Sequence, residues 1–369
     1  MGVEGGRLGK ISVIDGPRNR ISIVKIAIIS LLLPSGSKIG VGYVVHHFAN
    51  HLIDRGHEVT VYSQTGAGSD SKYRVEVVPS GSHLRTFGFA WNLRQYDFST
   101  YDVVNAHGDD WFLWGCKLPR HVHTYHGSLF AEMLHAKGLL TKVRMGALAL
   151  CEYASCFLAD ELVTVSENTR KFIPMVKRVI PNGVDLGEFS KGEKHPKPVL
   201  LFVGTMGGRK RGAMLLDLFR KVIRPAIADA EFWAVCEDRI EEGEGVSWMG
   251  RVDAKKLAEL YRKAWVFCLP STYEGFGVPY IEAMASGTAV VASTNPGAIE
   301  VTVNGTCGVI AKDDALAEKI IEILRDSALR QRLEAAGLER SRDFSWERVC
   351  SAYEELFVLK KNTPARDAA

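Results

Sequence analysis

Two carboxylates eight positions apart, Glu274 and Glu282, bracket a glycine-containing turn in the string Glu274-Gly-Phe-Gly-Val-Pro-Tyr-Ile-Glu282-Ala-Met-Ala-Ser-Gly287. Ionised carboxylates accept hydrogen bonds from sugar hydroxyls, and the free amides of a turn entering a helix receive phosphate oxygens. Gly275 and Gly277 let the backbone approach a ligand, and Pro279 suits a first helical position. The turn residues Phe276, Gly277 and Val278 therefore form a candidate phosphate cradle, with Glu274 and Glu282 each taking a different sugar ring. This is the chemistry of a grip on a nucleotide sugar. A plainer account of Glu282 is a carboxylate in the first turn of a helix, favourable by ~0.3–1 kcal/mol.

A second cluster is cationic. Arg209, Lys210 and Arg211 follow Phe202-Val-Gly204-Thr205-Met-Gly-Gly208 and precede Gly212, a strand, glycine loop and helix start in order. Three cations at a helix N-terminus oppose its dipole and call for an anion, and a diphosphate fits. The alternative is a solvated loop. In His121-Val-His123-Thr-Tyr-His126 the alternation of a strand puts His121 and His123 on one face and His126 at the end. With no Cys or carboxylate to complete a set, a zinc site is not expected. Asn105-Ala-His107-Gly-Asp109-Asp110 closes the preceding strand, where His107, Asp109 and Asp110 are expected to line the acceptor side; Asp109 or Asp110 could equally cap a helix.

Strand-like apolar runs alternate with helical spacing almost throughout, the pattern of a doubly wound α/β fold, and it occurs twice. The first set of strands runs over residues 25–33, 58–63, 74–78, 102–106, 122–126, 162–166 and 178–180; the second over 199–203, 231–235, 246–249, 265–269 and 289–292. Residues 182–198 hold three glycines, two prolines and several charges, as a linker would. The expected organisation is a first domain at 22–181, a linker at 182–198, a second domain at 199–343 and a last helix at 344–362. Ser166 is expected to cap a helix, and Pro181-Asn182-Gly183-Val-Asp185 to fix a turn at the domain junction.

The Glu274–Glu282 string, with Glu-Ala-Met-Ala-Ser-Gly after it, closely resembles the E-x7-E element of glycosyltransferase family 4, the retaining GT-B enzymes. The resemblance covers about residues 25–357 and is most specific in the second half. It implies two Rossmann-like domains facing across a cleft, the final helix returning to the first. It also implies that Glu274 holds the transferred sugar and Glu282 the nucleotide ribose. His126 matches the Thr-x-His element that borders the reacting sugar, and Gly40 the second glycine of an N-terminal loop beside the diphosphate. The family usually has an Arg just after the strand glycine and a Lys near the helix start. Here Thr205 takes the first place and Arg211 the second, so Arg209 or Lys210 must replace the missing cation or activity is reduced.

These features lead to an expected retaining transfer of a sugar from a nucleoside diphosphate sugar to a hydroxyl acceptor. Glu274, His126 and Arg211 are the catalytic candidates, and Gly40, Arg209, Lys210, Phe276, Gly277, Val278 and Glu282 the donor-binding ones. No D-x-D occurs, so basic side chains are expected in place of a metal, with no cofactor beyond the co-substrate. The rivals are a degenerate nucleotide-sugar binding or scaffold protein, suggested by Thr205, and a sugar-nucleotide epimerase of the same architecture. A dinucleotide site is disfavoured: the glycines near residue 40 are not spaced GxGxxG, and the next strand ends at Tyr62-Ser63-Gln64 without an acid for a ribose.

Composition agrees. The chain has 369 residues, 46% of them apolar, enough for two cores, and a net charge of +3 that gives no nucleic-acid footprint. Seven cysteines form no CxxC pair, as expected of buried thiols in the cytoplasm. The apolar run near residues 26–33 is too short to span a bilayer, and Gly6 stands where a myristoylation motif wants Ser or Thr. Lys137, Lys142 and Arg144 lie among apolar residues, a solvated helix face or a contact with the inner membrane surface.

Overall fold

A computed structural model describes residues 22–34, 40–80, 85–135 and 138–358. The loop 35–39, Lys137 and the first twenty residues, read above from sequence, lie outside the described residues.

The first sheet contains β1 (Lys25–Ile29), β2 (Glu58–Ser63), β3 (Arg74–Val77), β4 (Val103–Ala106), β5 (Arg120–Tyr125), β6 (Glu161–Thr164) and β7 (Arg178–Val179). All pair in parallel in the order β3-β2-β1-β4-β5-β6-β7. Its two faces are read directly from β1. Ile26 and Ile28 enter one apolar cluster, while Ala27 and Ile29 enter the cluster on the other side.

The second sheet contains β8 (Val199–Val203), β9 (Glu231–Val235), β10 (Val246–Trp248), β11 (Val266–Leu269), β12 (Ala289–Ser293) and β13 (Val309–Ala311), also parallel, in the order β10-β9-β8-β11-β12-β13. Its central strands, such as Ala289–Ser293, are buried at every position, because helices cover both faces. Strand β13 was not expected; its three apolar residues, Val309–Ala311, are too short a run to read as a strand.

In each sheet the order reverses once, between β1 and β4 and between β8 and β11. At such a switch point two neighbouring loops diverge and leave a crevice beyond the strand ends. Helix α1 (Gly40–Asp54) follows β1, and α2 (Leu129–His135) and α3 (Leu139–Ser155) follow β5. Helix α4 (Gly212–Leu218) follows β8, and α5 (Val278–Ala285) follows β11.

The last helix, α6 (Trp346–Val358), belongs to the first sheet's core: Val349, Cys350, Tyr353 and Leu356 pack with Ile26 and Val45. Its buried Glu354 accepts from Arg55 Nε at 2.6 Å and from His57 Nε2 at 2.9 Å, and burial alone would raise a carboxyl that these partners instead hold low. The chain thus crosses between the domains twice. The crossings lie side by side, with Val184 donating to the Phe344 carbonyl at 2.8 Å and bridging to Ser345. Trp346 lies so close to Gly183 that a Cβ there would meet its ring at 2.3 Å, which explains the glycine.

Candidate functional site

On the second domain the expected grip forms where β8 and β11 end. Gly277 has φ +97°, a region that favours glycine, and it starts α5 with Pro279 in the first turn, as expected. Phe276 is buried, its ring edge-on to Phe344 at 5.6 Å. Glu274 is only 5% exposed. Its Oε1 lies 2.8 Å from Arg209 Nη1 and 2.6 Å from Lys210 Nζ, and Arg209 also donates to the Tyr273 carbonyl at 2.9 Å. Burial pushes the Glu274 carboxyl up, but Lys210 and Arg209 more than reverse this and hold it below the usual range.

The three cations do not act together. Arg209 and Lys210 sit on a single tight turn, Gly208–Lys210, and Arg211 follows with φ +55°. That left-handed step turns the Arg211 side chain away from Glu274, onto the ends of β11, β12 and β13. There it donates to the Pro270 carbonyl at 2.6 Å and Ser293 Oγ at 2.9 Å, and pairs with Asp313 at 2.5 Å. The third cation of the sequence reading thus joins strand ends in this structure. Thr205, in the family's Arg position, donates its hydroxyl to the Gly207 carbonyl at 3.1 Å.

Glu282 points into the protein. It is 1% exposed and accepts from Tyr261 Oη at 3.2 Å. Tyr43 of α1 is near enough that Glu282 adds to the burial that keeps its phenol protonated. Gly40 opens α1 with free space beside it.

Across the cleft, the His126 carbonyl would lie 3.3 Å from a Cβ on Gly275, so the glycine lets the two domains' loops meet. His126 Nε2 and His107 Nδ1 are 2.7 Å apart, and His107 Nε2 is 3.0 Å from Asn105 Oδ1. Asn105 spends its amide protons on Val122 and Thr124, so its oxygen accepts from His107 Nε2, and His107 Nδ1 in turn accepts from His126. Burial and the nearby His123 lower His126 to about 3; burial and His126 likewise lower His107. Both rings are neutral at physiological pH.

Beside them lies a cavity of about 320 Å³ lined by residues including His107, Asp109, Trp111, His126, Glu132 and Glu152. No Lys or Arg is among its lining residues. Burial and Asp110 raise Asp109 to about 7; burial, with Glu132 and Asp109, raises Glu152 to about 8 although the Leu129 amide donates to it at 3.0 Å. Asp109 itself has φ +64°.

Asp110 departs from expectation. It is wholly buried behind the cavity wall, hydrogen-bonded to His123 Nδ1 at 2.8 Å and Ser155 Oγ at 2.5 Å, with His121 Nε2 2.9 Å away but outside hydrogen-bond geometry. Burial would raise its carboxyl, yet the two histidines hold it far below the usual range. A carboxylate therefore does join these histidines, contrary to the sequence reading, but among the described residues no group of three or more ligands is disposed to hold a metal. Neither Asp109 nor Asp110 caps a helix; a turn follows them. Glu132 and Glu152 were missed. Glu152 had a signal, since it is the lone acid in the apolar run from Met145 to Ser155.

Two family models match successive parts of the chain: "Glycosyltransferase Family 4" over residues 39–188 and "Glycosyl transferases group 1" over residues 185–340. The chain is 29% identical over 289 residues to the O-antigen chain mannosyltransferase B of Escherichia coli, covering 70% of this chain and 74% of that one. It is 33% identical over 194 residues to a phosphatidyl-myo-inositol mannosyltransferase of Mycobacterium tuberculosis, 47% of this chain and 51% of that protein, so it matches only about half of that relative. In fold it resembles the sucrose-phosphate synthase of Thermosynechococcus elongatus, with TM-score 0.76, 22% identity and coverage of 90% and 98% of the two chains. It also resembles Anabaena HepE solved with UDP and glucose, with TM-score 0.72, 18% identity and coverage of 91% and 100%. Two parallel sheets of seven and six strands, facing across a cleft and matched along both halves, have the GT-B architecture, and the chain belongs to the family 4 glycosyltransferases.

Proposed function

We propose that this glycosyltransferase moves a sugar from a nucleoside diphosphate sugar to a hydroxyl acceptor with retention of configuration and without a metal. The observation that carries this reading is the pairing of Arg209 and Lys210 with Glu274 at the domain boundary, opposite His126. In the free protein the carboxylate holds both cations. A diphosphate arriving at the open end of α5 offers them a second partner and leaves Glu274 free to accept sugar hydroxyls.

In the transfer, the bond from the anomeric carbon to the diphosphate oxygen breaks and the acceptor oxygen bonds to that carbon. The acceptor's proton passes to the departing phosphate oxygen. Arg209 and Lys210 stabilise the charge that develops there, and neutral His126 hydrogen-bonds the sugar while His107 fixes its ring. Glu282 is assigned to the ribose once the cleft opens at Tyr43. The acceptor occupies the cavity beside His107, where Asp109, Glu132 and Glu152 hydrogen-bond its hydroxyls, the protonated carboxyls donating as well as accepting.

A thermal-shift screen against uridine, guanosine and adenosine diphosphates and their sugar conjugates, with chelator present, tests the reading. Stabilisation by one nucleotide class, followed by transfer or slow hydrolysis of that donor, is the expected result. Nucleotide binding without either reaction would favour the binding-protein alternative that Thr205 suggests, and a changed sugar without acceptor would favour the epimerase.

A further inference from the structure

The two sides of the cleft carry opposite charge. Arg209 and Lys210 stand on the second domain, whereas the cavity of the first is lined by Asp109, Glu132 and Glu152 and by no Lys or Arg. Each acid comes from a different element: Asp109 follows β4, Glu132 is in α2 and Glu152 in α3. Carboxyls that converge without a cation hold their protons, and burial with the neighbouring acids raises Asp109 to about 7 and Glu152 to about 8. The charged groups around them are few. Asp110 acts on Asp109, Glu132 and Asp109 act on Glu152, and Arg209 and Glu274 act on Glu132. His107 and His126 are neutral, and His123 hydrogen-bonds Asp110 behind the wall.

A second kind of group in the cavity lacks a partner. Trp111 lines it at 5% exposure, and its indole Nε1 donates to no atom of the described residues. An indole N–H can only donate, so it calls for an acceptor atom on whatever fills the space, and the ring face attracts cations. At about 320 Å³ the cavity has the size of a small-molecule site, ~300–1,000 Å³, and is too large for a bare ion. Among the described residues no group of three or more ligands is disposed to hold a metal. A phosphate would meet acids and no cation, and a neutral polyol would leave the acids protonated. An organic ammonium ion instead ionises a carboxyl, whose proton leaves to solvent, and then pairs with it through charged hydrogen bonds.

We propose that the acceptor bound in this cavity is an amino sugar, with its ammonium group between Asp109 and Glu152, an oxygen accepting from Trp111 Nε1 and the reacting hydroxyl toward His126. Calling the ligand an acceptor rests on the transfer reading; the preference for an ammonium group does not. The test is isothermal titration of the full chain with the methyl glycosides of glucosamine, galactosamine and mannosamine, each against its hydroxyl counterpart, in buffers of different ionisation enthalpy. At least one amine should bind about ten-fold or more tighter than its counterpart at pH 7 and release about one proton, and the counterpart none. Affinity for that amine should rise several-fold per unit from pH 5.5 to 7, below the ~8 at which such an amine loses its own proton.

Glu152→Gln and Asp109→Asn should each erase most of the preference for the amine and keep the nucleotide-induced thermal shift, which shows that they are folded. Trp111→Phe should weaken amine and counterpart alike. Equal affinity for amine and counterpart, binding without proton release, or no binding by any of the six sugars overturns the proposal. So does a preference that survives in both acid variants. Amine-selective binding by a protein that transfers no sugar to that amine from any nucleotide donor it binds would sink the transfer reading alone; equally fast transfer to the hydroxyl counterparts would sink the amino-sugar assignment alone.

Discussion

Lys210→Met is the most informative single change in the donor grip. Its ammonium sits 2.6 Å from Glu274, with side-chain exposures of 17% and 6%, whereas the Arg209 side chain on the same carboxylate is 54% exposed. Breaking a buried pair costs ~3–5 kcal/mol, and an exposed one ~0–1 kcal/mol. Because Arg209 still reaches Glu274 after the substitution, the cost falls between the two ranges, at ~2–3 kcal/mol. At ~2–4 °C per kcal/mol for a domain of this size, Lys210→Met should lower the melting temperature by roughly 5–10 °C, and Arg209→Met by less than about 4 °C. The double variant Lys210→Met/Glu274→Gln should regain much of the loss, since the buried charge goes with its partner.

There is a pH signature as well. The Glu274 carboxyl is lowered from 4.5 in the fold, so it contributes stability above that pH which is lost as pH falls through the folded value. Lys210→Met should flatten this acid limb. In turnover the same variant should fall ~10²–10³-fold as the departing diphosphate loses a preorganised charge. Scanning calorimetry of the four proteins, followed by donor turnover, is the assay. An unchanged melting temperature for Lys210→Met, or a larger drop for Arg209→Met, would refute the assignment of the buried partner.

Two further outcomes follow from geometry away from Glu274. Arg211→Met should lose ~1–3 kcal/mol in urea unfolding and Asp313→Asn, at the exposed end of the same pair, ~0–1 kcal/mol, both with nucleotide affinity within a few-fold of wild type; a hundred-fold affinity loss with unchanged stability would instead return Arg211 to the phosphate. Asp109, raised to about 7, keeps its proton in the fold while the unfolded chain releases it near 3.8, so wild-type stability should decline as pH climbs through that window. Asp109→Asn, which tolerates the positive φ, should remove about 2–3 kcal/mol of that decline between pH 5 and 9, measured by urea midpoints; parallel curves would count against a neutral Asp109.

What the sequence disclosed was whatever is local. Apolar runs gave most strands to within a few residues, β13 excepted, because parallel strands covered on both faces are mostly apolar. Glycine, proline and acid at fixed spacing gave the turn at Glu274–Pro279, and Ser166 caps its helix through the Thr169 amide as expected. The directions of side chains at non-standard backbone were hidden. Arg211 reads as a neighbour of Lys210, yet its left-handed φ sends it to Asp313, a partner 102 positions away. The acids of the cavity were hidden for a different reason. Asp109, Glu132 and Glu152 meet only because β4, α2 and α3 converge, and Asp110, adjacent to one of them in sequence, ends up on the far side of the wall.

The two neighbouring chain crossings, at Val184 and Ser345, fix how the halves can move. A single tether would let one domain twist and slide over the other. Two that are bonded to each other, with Trp346 wedged against Gly183, act as a door hinge and leave one inexpensive motion, a swing about a line through that bridge. The Glu167 amide also donates to both oxygens of Glu300, at 2.9 and 3.0 Å, and clasps the first domain to the second. If Glu282 receives the ribose as proposed, admitting a nucleotide would part the Glu167–Glu300 contact, and the hinge would return the two halves along one arc to the same registration.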